Sequence, residues 1–135
     1  QDGVTPLATA EELYKLCDVV SLHIPATAET KGSINRALLA NMPKGALLVN
    51  TARKEVIHED ELIQFMQERK AFAYVTDVMP AADQKLNELF EGRYFSTPKK
   101  MGAQTAEANI NAGIAAAKQI VDFMQNGNTR FQVNK

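Results

Sequence analysis

Leu47-Leu48-Val49-Asn50-Thr51-Ala52-Arg53 reads as a buried strand that ends at an arginine. Leu47, Leu48 and Val49 are apolar at consecutive positions, the pattern of a strand covered on both faces. Asn50 and Thr51 turn polar, and Arg53 falls just past the strand end. In open α/β sheets, ligands bind beyond the carboxyl ends of the strands. An arginine there presents a planar fork of donors to a carboxylate or phosphate. Taken alone, the same residue is equally a surface arginine in a loop.

Working outward, three further apolar runs predict strands. Val19-Val20-Ser21-Leu22-His23-Ile24 stops at Pro25, Phe72-Ala73-Tyr74-Val75-Thr76-Asp77-Val78 stops before Pro80, and the weaker Tyr94-Phe95-Ser96-Thr97 stops at Pro98. Helical patterns lie between them. Ala10–Leu16 has Thr9 as a candidate N-cap and Glu11 and Glu12 in its first turn. Ser33–Met42 carries Ile34, Leu38, Leu39 and Met42 at helical spacing, and Pro43 and Gly45 end it. Glu59–Lys70 opens acidic, closes on Arg69 and Lys70, and has the stripe Leu62, Ile63, Phe65 and Met66. The last helix, about 105–125, shows Ile110, Ile114, Ala117, Val121 and Met124, with Gly127 suited to close it. These stripes are expected to pack into a core.

Strand and helix in alternation predict an α/β fold, the second half of a doubly wound, Rossmann-like parallel sheet of about four strands with flanking helices. No Gly-x-Gly-x-x-Gly occurs in the chain, so a phosphate-binding first βαβ unit is not part of it. Residues 1–125 are expected to form the carboxy-terminal part of a cofactor domain and 126–135 a return segment. Gln1 at the start suggests a chain without its beginning. The Val19–Ile24 strand would then present an unpaired edge and favour self-association.

Composition narrows the function classes. The chain has 135 residues, 45% hydrophobic and 23% charged, ordinary values for a globular domain with a core. A net charge of -1 argues against nucleic acid as a partner. No apolar run approaches the roughly 20 residues that span a bilayer, so no membrane association is expected. No secretory pattern opens the chain, and the lone Cys17 suits apolar packing in a reducing cytoplasm. No metal site is expected.

Several ordered motifs resemble those of the NAD-dependent D-2-hydroxyacid dehydrogenases, nearest to their D-3-phosphoglycerate dehydrogenase branch. They are Ser21-Leu22-His23-Ile24-Pro25, Asn50-Thr51-Ala52-Arg53, Thr76-Asp77-Val78 and Met101-Gly102-Ala103-Gln104-Thr105-Ala106-Glu107-Ala108. The resemblance covers nearly the whole chain. It implies NAD as cofactor, a small anionic hydroxy acid as substrate and a homodimer. It gives Arg53 the substrate's carboxylate or keto oxygen and Asp77 the nicotinamide carboxamide. Thr51 and Ala52 would line the nicotinamide riboside, Ile24 and Pro25 the segment beneath the cofactor, and Gly102 and Ala103 the same site. Phe131-Gln132-Val133-Asn134 resembles a returning strand.

The departures from the family are equally specific. Its usual catalytic histidine is replaced by lysine: alignment on Gly102-Ala103 puts Lys100 there, and alignment on Thr97-Pro98 puts Lys99 there. The gap-free match favours Lys100. The partner glutamate falls on Ala82, next to Asp83, and some relatives share the lysine-for-histidine pattern. A lysine titrates near ~10.4 when free, so burial or cationic neighbours would have to lower its pKa for it to accept a proton. His23 and His58 are expected to be structural or exposed. The implied reaction is oxidation of 3-phospho-D-glycerate by the intact protein. Glycerate or hydroxypyruvate enzymes, and a non-catalytic NAD-binding module of the same fold, remain as alternatives. The residues present here are expected to be inactive alone.

Overall fold

The computed structural model describes residues 3–99 and 105–134. Two compact units are present, Gln1–Lys100 and Met101–Lys135. In the first, every predicted strand forms. They are β1 (Val19–Leu22), β2 (Leu47–Asn50), β3 (Ala73–Thr76) and β4 (Tyr94–Ser96), all parallel, in the order β1-β2-β3-β4. The register pairs Leu22 with Asn50 and Asn50 with Thr76, so the strands end level. Each is shorter than its apolar run: β2 ends at Asn50, whose side chain bonds the turn that follows, and β1, β3 and β4 are each followed within four residues by a proline, which cannot donate to a ladder. His23 and Ile24 lie beyond β1 for this reason.

Helices fill the crossovers. Helix α1 (Ala10–Leu16) starts at Thr9, whose hydroxyl accepts from the Glu12 amide as expected of an N-cap. Helix α2 spans only Arg36–Leu39. The predicted Ser33–Met42 helix is shortened because Asn35 caps it, accepting from the Leu38 amide. Ile34, counted into the helical stripe, instead forms a parallel bridge with Ile57. A short 3-10 turn covers Lys54–Val56, and α3 (Glu59–Glu68) follows it with Leu62, Ile63, Phe65 and Met66 all buried. Helix α4 (Asp83–Leu89) was not legible in the sequence, since Leu86 is its one buried residue and the rest, apart from the exposed Leu89, is polar.

A sheet whose strands follow in sequence order, joined by right-handed crossovers, carries all its connecting helices on one face. The burial pattern agrees. Alternate residues Val20, Leu22, Leu48 and Tyr74 are buried, while Leu47 and Val49 are only half-buried. On that second face Val19 and Phe95 are more than half exposed. The expectation that Leu47–Val49 is covered on both faces therefore holds for one face only among the described residues. Winding in a single direction is what one half of a doubly wound sheet shows.

The second unit is α5 (Ala106–Asn126) with a short tail. Thr105 caps it by accepting from the Ala108 amide, and Gly127 closes it at φ 65°, as its position predicts. No residue of α5 is buried, so Ile110, Ile114, Val121 and Met124 are not core residues here, contrary to the sequence reading. A single helix has no second element within its own unit to cover an apolar stripe. The predicted returning strand at 131–134 is a turn and loop: the Gln132 amide donates to Thr129 O, and no ladder partner pairs with it among the described residues.

Tyr14, from α1, is 2% exposed, and its hydroxyl has no hydrogen-bond partner among the described residues. Burial pushes its pKa up to about 12, and burial also raises Tyr74 and Tyr94, the latter further through its bond to Asp83. For each tyrosine the native fold favours the neutral form. The stability this contributes is complete below pH 10, the ordinary tyrosine value, and is lost as the pH rises through the native values. Thermal melting should therefore fall steeply between pH 10 and pH 12. Tyr14→Phe removes an unsatisfied buried group, and we expect it to raise stability by about 1 kcal/mol at neutral pH and flatten the alkaline decline. A drop in melting temperature at pH 7 would contradict this.

Candidate functional site

Asn50, the last residue of β2, is fully buried and organises the turn that carries Arg53. Its Oδ1 accepts from the Ala52 amide at 3.0 Å, and its Nδ2 donates to Arg53 O at 3.0 Å. Nδ2 also lies 3.4 Å from the Tyr74 hydroxyl. A buried amide needs its hydrogen bonds made, and here the backbone of the turn makes them. The polar residue that interrupts the apolar run is thus the device that turns the chain. The exposed Arg53 side chain donates from Nη1 to Ala52 O at 2.8 Å.

The neighbouring strand ends alike. Thr76 is buried; its hydroxyl donates to Asn50 O at 2.8 Å and accepts from the Val78 amide at 3.0 Å. The Asp77 amide donates to Asn50 O at 3.2 Å. These bonds hold the β2 and β3 ends side by side and leave Asp77, 8% exposed, at the carboxyl edge of the sheet. On β4 the Thr97 amide donates to Thr76 O, and the Thr97 hydroxyl donates to Lys99 O at 2.9 Å.

Around these ends lies an open cleft of about 590 Å³, lined by Ala52, Arg53, Lys54, Glu55, Asp77, Val78, Met79 and Lys99. It brings together Arg53, Ala52, Asp77 and Lys99 from the sequence reading. Thr51 immediately precedes this wall. Ile24 and Pro25 do not line it: Ile24 faces a separate groove of about 540 Å³ with Tyr14, Leu22 and Leu38, and Pro25 O accepts from the Thr30 hydroxyl. Lys100, Gly102 and Ala103 lie outside the described residues. Ala82 precedes α4, and Asp83 accepts from the Tyr94 hydroxyl at 2.5 Å, so neither contributes to the cleft wall. His23 bonds Ser21 at 3.0 Å and His58 sits 3.6 Å from Glu61, the structural and exposed roles expected of them.

Lys54, Val78 and Met79 were not singled out from sequence. Lys54 follows Arg53 directly and adds a second cation, while Val78 and Met79 give the cleft an apolar side. No carboxylate among the described residues pairs with Arg53, Lys54 or Lys99 within 4.0 Å. Such a cleft suits an anion lying against a flat apolar group, with Asp77 offering a carboxylate to amide or hydroxyl hydrogens. Among the described residues no cluster of histidine, cysteine and carboxylates could hold a metal ion. No helix among them is long and apolar enough to cross a membrane.

The parallel sheet, with its ligand-type cleft at the carboxyl strand ends, defines a Rossmann-like nucleotide-binding domain. Residues 1–98 match the model of the D-isomer specific 2-hydroxyacid dehydrogenase NAD binding domain, and the chain belongs to that family. D-3-phosphoglycerate dehydrogenase of Haemophilus influenzae is 39% identical over 130 residues, 92% of this chain and 32% of that protein. Hydroxypyruvate reductase of Thermotoga maritima is 34% identical over 113 residues, covering 82% and 37%. The crystal structure of NAD+-bound 3-phosphoglycerate dehydrogenase from Entamoeba histolytica superimposes with a TM-score of 0.84 at 49% identity, covering all of this chain and 45% of that one. The chain thus spans about a third to under half the length of these relatives.

Proposed function

We propose that this chain is part of the cofactor domain of an NAD-dependent dehydrogenase that oxidises 3-phospho-D-glycerate to 3-phosphohydroxypyruvate. The observation that carries the reading is the cleft itself, whose wall at the strand ends holds Arg53, Lys54 and Lys99 together with Asp77 and Glu55. Relatives described as D-3-phosphoglycerate dehydrogenases support the choice of substrate.

A nicotinamide ring suits these residues. Ala52, Val78 and Met79 offer an apolar wall, and Asp77 a carboxylate for the carboxamide hydrogens. When bound, NAD supplies the hydride acceptor. Thr51, Ile24, Pro25, Gly102 and Ala103 complete the proposed cofactor contacts. Arg53 orients the substrate carboxylate by a two-point grip, which fixes the reacting carbon as a point charge would not. Lys100 or Lys99, in its neutral form, takes the hydroxyl proton. A homodimer and a cytoplasmic setting belong to the same reading, supported by the outer edge of β1, which pairs with no strand among the described residues, and by the single cysteine.

The test is NADH formation by the intact protein with 3-phosphoglycerate, compared with glycerate and lactate. Faster turnover of 3-phosphoglycerate is expected, and preference for an unphosphorylated acid would overturn the substrate assignment. The 135-residue chain alone should show no turnover. Micromolar NAD affinity of this chain in calorimetry would refute the view that the cofactor needs the rest of the domain.

A further inference from the structure

The loop from Asp77 to Ala82 connects the cleft to α4, and its far end is held by a residue distant in sequence. The carboxylate of Glu59, the first residue of α3, accepts from the Ala81 amide at 2.9 Å through Oε1 and from the Ala82 amide at 2.8 Å through Oε2. Ala82 stands at the N-cap position of α4 and has no side-chain acceptor of its own. The orphan amides at a helix start need an acceptor, which is usually supplied locally by serine, threonine, asparagine or aspartate. Here the acceptor arrives from another helix, with both oxygens engaged and a negative charge placed favourably at the helix start.

We propose that Glu59 is a positioning residue for the functional cleft: from α3 it binds the last loop amide and the N-cap amide of α4 and thereby fixes the loop that presents Asp77, Val78 and Met79. The loop is pinned at both ends. Near the cleft, the Thr76 hydroxyl holds the Val78 amide and Asn50 O holds the Asp77 amide. In the middle Pro80 is buried, and at the far end Glu59 takes two consecutive amides. Without Glu59 the far end has only Asp83 bound to Tyr94, which lies one residue past the cap and constrains no loop amide. The next residues after the Arg53 turn lead directly into Glu59, so the segment bearing the cationic wall and the segment bearing Asp77 are tied through one carboxylate. The proposal depends on the dehydrogenase reading only for the role of Asp77. The placement of the loop stands independently.

The experiment is residue-resolved amide exchange and carbon-detected NMR on the full 135-residue chain, with no cofactor present, so failure of the cofactor reading cannot be mistaken for failure of this one. In Glu59→Ala, the Ala81 and Ala82 amides should exchange at least about tenfold faster, the factor that ~1.4 kcal/mol of lost bonding gives. The Asp77 carboxyl and Val78 amide resonances should shift, while exchange at Leu48 and Tyr74 in the sheet centre is unchanged. Glu59→Gln keeps one acceptor oxygen, so it should protect one of the two amides and partly restore the Asp77 resonance. Unchanged exchange at Ala81 and Ala82 in Glu59→Ala would overturn the proposal. Equal acceleration across β2 and β3 would also overturn it, because Glu59 would then act on global stability alone. If Glu59→Ala does not fold, Glu59→Gln decides by the same two amides.

Discussion

Arg53→Gln should lower kcat/KM of the intact enzyme by on the order of 10²–10³-fold, the usual cost of removing one preorganised donor from a reacting oxygen. Arg53 stands at the end of a turn whose conformation is set by Asn50, with both amide ends of Asn50 bonded to backbone inside the turn. The arginine therefore begins from a fixed root. Its guanidinium faces a cleft that already contains Lys54 and Lys99, so the substitution leaves cationic charge in place and removes the fork. For this reason Arg53→Lys should recover little of the loss. A lysine restores the charge but not the two parallel hydrogen bonds that orient a carboxylate. Steady-state kinetics of both variants check the claim. A rise in KM with kcat intact would show that Arg53 contributes uniform binding only, and full activity of Arg53→Lys would show that net charge suffices.

The features legible in the sequence were those with a repeating physical signal. Four apolar runs each gave a strand, because a parallel sheet needs consecutive apolar residues, and in three of the four a following proline helps mark where the ladder ends. The α3 stripe Leu62, Ile63, Phe65 and Met66 was legible because all four residues are buried at one spacing. The same logic failed for α5, whose stripe is equally periodic yet buries nothing within its unit. Periodicity reports that a face can be buried, not what covers it. It also failed at Ile34, where a residue in helical phase serves a β-bridge because Asn35 captures the helix start one position later. At the site, Arg53 could be named because it falls just past an apolar run, and Asp77 because Thr76-Asp77-Val78 resembles a motif of the family. Ile24 and Pro25 follow the end of β1 too, yet neither lines the cationic cleft, and Ile24 lines a different groove. Glu59 was legible only as an acidic residue opening α3, and its hold on the loop before α4 carried no sequence signal. Its partners are backbone amides 22 and 23 positions away, and a side chain that bonds to backbone leaves no pattern of complementary residue types.

The second large effect is expected at the lysine pair. Removal of a general base typically costs 10²–10⁴-fold, so Lys100→Ala should lower kcat by about that range in the intact enzyme. Lys99→Ala should cost about tenfold or less. The gap-free alignment through Gly102-Ala103 assigns the histidine position to Lys100, while the structure puts Lys99 on the cleft wall beside Arg53 and Lys54. These two facts are compatible if the adjacent lysines divide the work. On that proposal Lys99 would add to a cationic environment that attracts the acid, and Lys100 would exchange the proton. The division has a kinetic signature beyond the size of the loss. With Lys99 removed, less positive charge would surround the base, and the acidic limb of the kcat/KM profile should move to higher pH. With Lys100 removed, that limb disappears while weak turnover remains. If the large loss follows Lys99→Ala instead, the correct alignment runs through Thr97-Pro98 and the cleft-wall lysine is itself the base. If neither variant loses more than tenfold, neither of these two lysines carries the proton, and the absence of a family glutamate at Ala82 would then not be explained by a lysine at the histidine position.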